Sequence, residues 1–214
     1  MISEPPRPPI ELPNPEKLAD LARRQRALRS GFLATVLEDA RIFSVKRQEK
    51  FQFAGRVQRW MNVLRLIWRA DEFLSLFLYR VRMALHDRRV PVIPRLLYYA
   101  SSFLYGVRIN HQVIIEAGIY LPHGQCVIGG LTRIGRGCYI SPWTSIGLVQ
   151  GNATGPTIGR DVFVGTGARI LGDITVGDGA RIGTNAVVLK DVPAGAIAVG
   201  IPARIIESGE GAEA

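Results

Sequence analysis

The sequence predicts two structural regimes in one chain, an α-helical first half followed by an all-β parallel β-helix of six-residue repeats. Three observations carry this reading. Aliphatic residues recur every six positions from Ile109 onward, and a second series of small or branched residues follows four positions behind them. Before Ile109 the apolar residues fall instead at three- and four-residue steps.

In chain order, residues 1–13 hold five of the 13 prolines and no hydrophobic period, so they read as an extended or disordered arm. Asn14, Pro15 and Glu16 have the form of a helix start, opening a charged helix to about Arg29, ahead of Gly31. A second helix is expected over Phe32 to Lys50. Val57, Trp60, Met61, Leu64, Ile67 and Trp68 form an apolar stripe with Arg59, Arg65 and Arg69 between, and Asp71-Glu72 restart the pattern through Phe73 to Leu85. Pro91 and Pro94 end it. A last short helix is expected from Arg95 to Tyr105, stopped by Gly106.

From Ile109 the inward series reads Ile109, Ile115, Leu121 and Val127. After one extra residue it continues as Ile134, Ile140 and Ile146, then from Ile158 through Val164, Ile170, Val176 and Ile182 to Val188. Only Asn152 breaks the row. A six-residue period fits no α-helix and no plain hairpin sheet, but it fits short strands joined at the corners of a triangular prism. Three repeats close one coil, aliphatic side chains stack inward, and small residues with glycine fit the corners. The expected boundaries are an arm over 1–13, a helical region over 14–106, the β-helix over 107–192, and a C-terminal cap and tail over 193–214. The helices cap one end of the prism, and Pro193 to Ile206 fold back over the other.

Composition narrows the function classes. The chain has 214 residues, 47% of them hydrophobic, which is enough to bury a core. No basic head with an apolar stretch opens it, and no 18-residue uncharged apolar run follows, so a soluble cytoplasmic protein is expected. Cys126 and Cys138 form no CxxC and read as reduced thiols; Cys126 is expected at an outward corner and Cys138 in the core. The net charge of +9 lies wholly in residues 1–107, which carry 19 Lys/Arg against 10 Asp/Glu. Recognition motifs and aromatic platforms for nucleic acid are missing, so no nucleic acid partner is expected. The surplus fits a solvated face, or peripheral contact with anionic lipid or a polyanionic substrate.

The stretch from Val164 to Val192, with its Val-Gly-Thr-Gly-Ala and Ile-Gly-Thr-Asn-Ala steps, resembles the signature of the hexapeptide-repeat acyltransferases. Phe77-Leu78-Tyr79-Arg80 before the repeats, Gly118-Ile-Tyr-Leu-Pro-His123 near their start and Gly200-Ile-Pro-Ala-Arg204 at their end are similar to the serine acetyltransferase branch. The resemblance covers about residues 73–206. It implies a left-handed β-helix and a homotrimer with active sites between neighbouring prisms, in which the helical region could pair trimers. It also implies acetyl-CoA as donor and direct transfer to an acceptor hydroxyl. One histidine acts as base, because a neutral alcohol attacks a thioester poorly until an imidazole takes its proton.

There are three histidines. His86 ends a helix beside Asp87-Arg88-Arg89 and reads as solvent-facing, while His111 and His123 both project from the prism. His123 occupies the position of the family's catalytic histidine. By the same resemblance Thr166 and Thr184 align with positions that touch the pantetheine arm, and Lys190 and Arg204 with positions near the CoA phosphates, where cations suit the charge. Tyr120 and Trp143 are expected to project near His123 on adjacent coils, either lining the acceptor site or packing between subunits. The chain departs from the family where Pro122 replaces an aspartate before the histidine, where Arg108 replaces the orienting aspartate, and where Gly155 or Pro156 replaces a second histidine. Glu116 is a substitute orienting group that sequence alone cannot place. No metal is expected, since the histidine spacings suit no zinc triad. Serine, a sugar or polysaccharide hydroxyl, and a non-catalytic scaffold remain the competing readings.

Overall fold

The computed structural model describes residue 20, residues 31–49, 55–149 and 154–206. The expected arm, the ladder break at Asn152 and the tail beyond residue 206 lie outside the described residues. So does the expected first helix, except for Asp20, which is helical.

Four helices follow: α1 Phe32–Lys46, α2 Arg56–Arg69, α3 Asp71–Asp87 and α4 Ile93–Tyr105. The first of them stops short of Lys50 because Gln48 turns left-handed at φ 54° and the Glu49 N–H reaches back to Ser44 O. The last begins two residues earlier than expected, since Pro94 fits a first helical turn, where no N–H partner is needed. Gly106 ends it at φ 64°.

The helices are bolted to the prism by buried polar contacts. Asp39 of α1 receives the Arg80 guanidinium of α3 at 2.9 Å, and the Gly118 N–H of the prism at 2.7 Å. Arg80 also donates to the carbonyls of Ile115 and Glu116, and the Tyr79 hydroxyl to that of Val113 at 2.9 Å. Phe43, Phe73, Leu76 and Val36 fill the space between helices and prism.

The second half is a left-handed parallel β-helix with three sheets. The first sheet stacks β1 Arg108–Ile109, β3 Val127–Ile128, β6 Ser145–Gly147, β9 Arg169–Leu171 and β12 Val187–Val188. A second sheet holds β2 Ile114–Ile115, β4 Arg133–Ile134, β7 Thr157–Ile158 and β10 Thr175–Val176. The third holds β5 Tyr139–Ile140, β8 Phe163–Val164, β11 Arg181–Ile182, β13 Ile197–Gly200 and β14 Ala203–Ile206. All ladders are parallel except β13 with β14, which pair antiparallel at the edge of the third sheet. Among the described residues no helix is long and apolar enough to cross a membrane.

One rung differs from the sequence reading. Val127 is 49% exposed, whereas Ile128 is 1% exposed and pairs in register with Ile109 and Ile146. The inward ladder therefore runs Leu121, Ile128, Ile134. The extra residue precedes Ile128 instead of following Val127. With the register moved, Cys126 faces inward at 1% exposure, contrary to its expected outward corner, and burial pushes its thiol up to about 12. Cys138 is buried as expected.

Candidate active site

The inserted residue falls in the corner that carries His123. His123, Gly124 and Gln125 take φ values of 61°, 64° and 53°, three consecutive left-handed residues. Such a conformation costs a non-glycine residue about 1–3 kcal/mol and persists only where the surroundings over-determine it. Here they do. The Gln125 N–H donates to the Tyr105 carbonyl at 2.9 Å, and the Gln125 carbonyl accepts from the Trp143 N–H at 2.6 Å. Gly124 lies so close to the end of α4 that a Cβ there would stand 2.7 Å from Tyr105 O. The His123 side chain is exposed at this corner, facing a cavity of about 900 Å³.

The C-terminal turn of α4 and the start of α3 form one wall of that cavity, and the outward face of the first sheet forms the other. Outward residues at one position of successive rungs bring Arg108, Val127, Ser145 and Arg169 onto this face. The corner edge adds His123, Trp143, Gly167 and Asn185. Two carboxylates lie opposite, Asp71 and Glu72, which the sequence reading did not single out. Glu72 is held by Arg47 at 2.6 Å. Asp71 has no ion-pair partner within 4 Å among the described residues. Burial first, then the Asp71 carboxylate, raise the Tyr105 hydroxyl above its ordinary value.

Trp143 is 64% exposed and lines this cavity. Tyr120 does not: it is buried, with its ring 4.7 Å from that of Phe43 and 5.2 Å from that of Tyr139. The expectation that it projects beside His123 fails because α1 docks on that face of the prism. Glu116 is also elsewhere, on the second sheet, where it binds the Arg133 guanidinium and accepts from the Arg136 N–H at 3.3 Å. Gly155 is buried against Thr132, whose hydroxyl would lie 2.2 Å from any Cβ there. His86 is half-buried instead of solvent-facing, its ring 5.2 Å from that of His111.

Thr166 and Thr184 are exposed on the same corner edge as His123, one residue before Gly167 and Asn185 respectively. The Thr166 carbonyl accepts from the Asn185 N–H at 2.8 Å, which stacks the two corners. Lys190 lies past β12 on the next edge, and Arg204 sits on β14, paired with Val199. Neither lines the cavity. Among the described residues no group of three or more His, Cys, Asp or Glu is placed to hold a metal ion.

Comparison with known proteins gives this geometry a family. The bacterial transferase hexapeptide family, six repeats, matches residues 155–190. A serine acetyltransferase of Synechococcus elongatus is 42% identical over 137 residues, 63% of this chain and 56% of that protein. One from Helicobacter pylori is 43% identical over 136 residues, covering 62% of this chain and 79% of that protein. The chain thus spans little more than half of the cyanobacterial relative. Among solved structures, soybean serine acetyltransferase complexed with serine aligns with TM-score 0.69 at 26% identity, over 87% of this chain and 74% of that one. A serine acetyltransferase complex with CoA aligns with TM-score 0.68 at 25% identity, over 89% and 75%. The hexapeptide repeats and the identity with the Helicobacter protein, 79% of which this chain covers, place it in the serine acetyltransferase family of hexapeptide-repeat transferases.

Proposed function

We propose that this chain is an acetyl-CoA-dependent O-acetyltransferase in which His123 is the base. The observation that carries the reading is the over-determined corner: a histidine whose backbone is held left-handed on the rim of a large cavity, beside a polar edge. His123 takes the acceptor's hydroxyl proton as that oxygen attacks the thioester carbonyl. The acetyl–sulfur bond then breaks, and CoA leaves as the thiol after receiving the proton. Asp71 supplies the negative charge that stabilises the imidazolium, in place of the family aspartate that Arg108 has replaced.

CoA bound to the aligned serine acetyltransferase supports acetyl-CoA as donor. In this reading the pantetheine arm follows the Thr166 and Thr184 edge. Lys190 and Arg204 stand on other edges of the prism, so they meet CoA phosphates in a groove shared with a neighbouring protomer of a homotrimer. Trp143 offers an exposed ring to the acceptor.

Serine in the soybean complex makes L-serine the first acceptor to test. Sugars come second, because Pro122, Arg108 and Gly155 leave the acceptor pocket without the family's aspartates and second histidine. The test is thiol release from acetyl-CoA with L-serine and a panel of monosaccharides. Acceptor-dependent release is expected; no acceleration by any hydroxyl compound, together with no CoA binding by calorimetry, would leave a scaffold.

A further inference from the structure

A second cavity, of about 600 Å³, lies between α3, the start of α4 and the first two coils of the prism. Its lining holds Arg82, Arg95, Arg108, His86 and His111, and no aspartate or glutamate. The remaining wall is largely apolar, with Met83, Val92 and Ile128 among its residues. Arg108 and Val127 border both this cavity and the one at His123, so the two adjoin across a single residue pair.

The decisive group is Arg82. It is 7% exposed, so its guanidinium has left bulk water. One Nη2 hydrogen bonds the Ile109 carbonyl, and the rings of Tyr79 and Tyr98 lie 5.4 and 5.1 Å away. Its Nε has no hydrogen-bond partner, and no carboxylate pairs with it among the described residues. A buried cation without a counter-ion is costly, and a donor left unsatisfied adds to the cost. Arg80, two residues earlier, shows the alternative, since it is buried against Asp39 and fully engaged. The cavity borders Arg82, so an anion held there would lie beside this uncompensated charge.

We infer that the second cavity binds the anionic end of the acetyl acceptor, a hydroxyl compound whose carboxylate or phosphate is carried on an apolar stem. The stem lies against Met83, Val92 and Ile128, the oxyanion meets Arg82 and Arg95, and the hydroxyl crosses the Arg108–Val127 saddle to His123. This assignment rests on the reading of His123 as the acetyl-transfer base. It extends that reading by giving the acceptor an apolar length that serine lacks and a charge that a neutral sugar lacks.

The test uses the full chain and acceptors that differ only at the far end: 6-hydroxyhexanoate, 6-hydroxyhexyl phosphate and 1,6-hexanediol. Thiol release should give both anionic acceptors a kcat/KM about ten-fold or more above that of the diol, the size of one charge-assisted contact. Arg95→Gln should erase that preference, bringing the anionic acceptors down to the rate of the diol. A carboxylate that works while the phosphate ester does not, or the reverse, identifies the oxyanion. Equal rates for diol and anions, or a preference that survives Arg95→Gln, would overturn the assignment. Calorimetry with hexanoate and hexyl phosphate reads the site independently of turnover. Binding that weakens in Arg95→Gln supports the site even if no acceptor reacts, a result that would count against His123 alone. No binding of either probe to the unaltered chain sinks the inference and leaves the acetyltransferase reading untouched.

Discussion

At the scale of single residues, the proposed base sits where the six-residue rule is broken. With one extra residue before Ile128, His123 and Gly124 join Gln125 in left-handed backbone, a conformation that Trp143 and Asn185 also take at neighbouring corners. The sequence hid this because Val127 and Ile128 are both aliphatic, so a count of six fits either side of the insertion. Pro122-His123-Gly124 held the usable hint, since a proline and a glycine around a polar residue mark an irregular corner. Gly124 is the residue on which the corner depends. An alanine there would have to adopt φ 64° with its Cβ 2.7 Å from Tyr105 O. Gly124→Ala should therefore cost about 1–2 kcal/mol in backbone strain and lower turnover about ten-fold or more by displacing the imidazole. Chemical unfolding and thiol-release kinetics on the purified variant check both, and wild-type kcat would contradict the need for this backbone.

At the scale of elements, the helical periods and the strand ladder were both legible, because each is written in the spacing of apolar residues. How they dock was not. Asp39 and Arg80 are 41 residues apart in sequence yet form the joint between α1, α3 and the Gly118 corner. No periodicity links such a pair. The same gap explains Tyr120, which sits on an outward face of the prism that α1 then covers with Phe43. Removing one partner of a buried ion pair leaves the other charge uncompensated, at a cost of about 3–5 kcal/mol. Asp39→Asn should lower unfolding free energy by that amount in a denaturant titration. A loss under about 1 kcal/mol would mean that water or another acceptor rescues Arg80.

At the scale of the whole molecule, the chain leaves large apolar residues uncovered on two helices. Val57, Met61, Leu64 and Trp68 line one side of α2, while Ile93, Leu96, Phe103 and Leu104 stand out from α4. Contiguous exposed apolar surface of this kind is normally covered by association. Sedimentation should accordingly return a mass of about three times the 23.5 kDa of one chain, or a multiple of that trimer. A monomer at micromolar concentration would contradict the shared groove assigned to Lys190 and Arg204. Asp71 and the second cavity were invisible in the sequence for one reason: each exists only where α3 and α4 meet the first coils.

The central claim is that His123 moves the acceptor's proton during acetyl transfer. Its most direct test is turnover of acetyl-CoA by His123→Ala, measured beside CoA affinity on the same preparation. His123→Ala should lower kcat by about 10²–10⁴ with CoA binding retained, the signature of a lost general base. An unchanged kcat with intact CoA binding would contradict it.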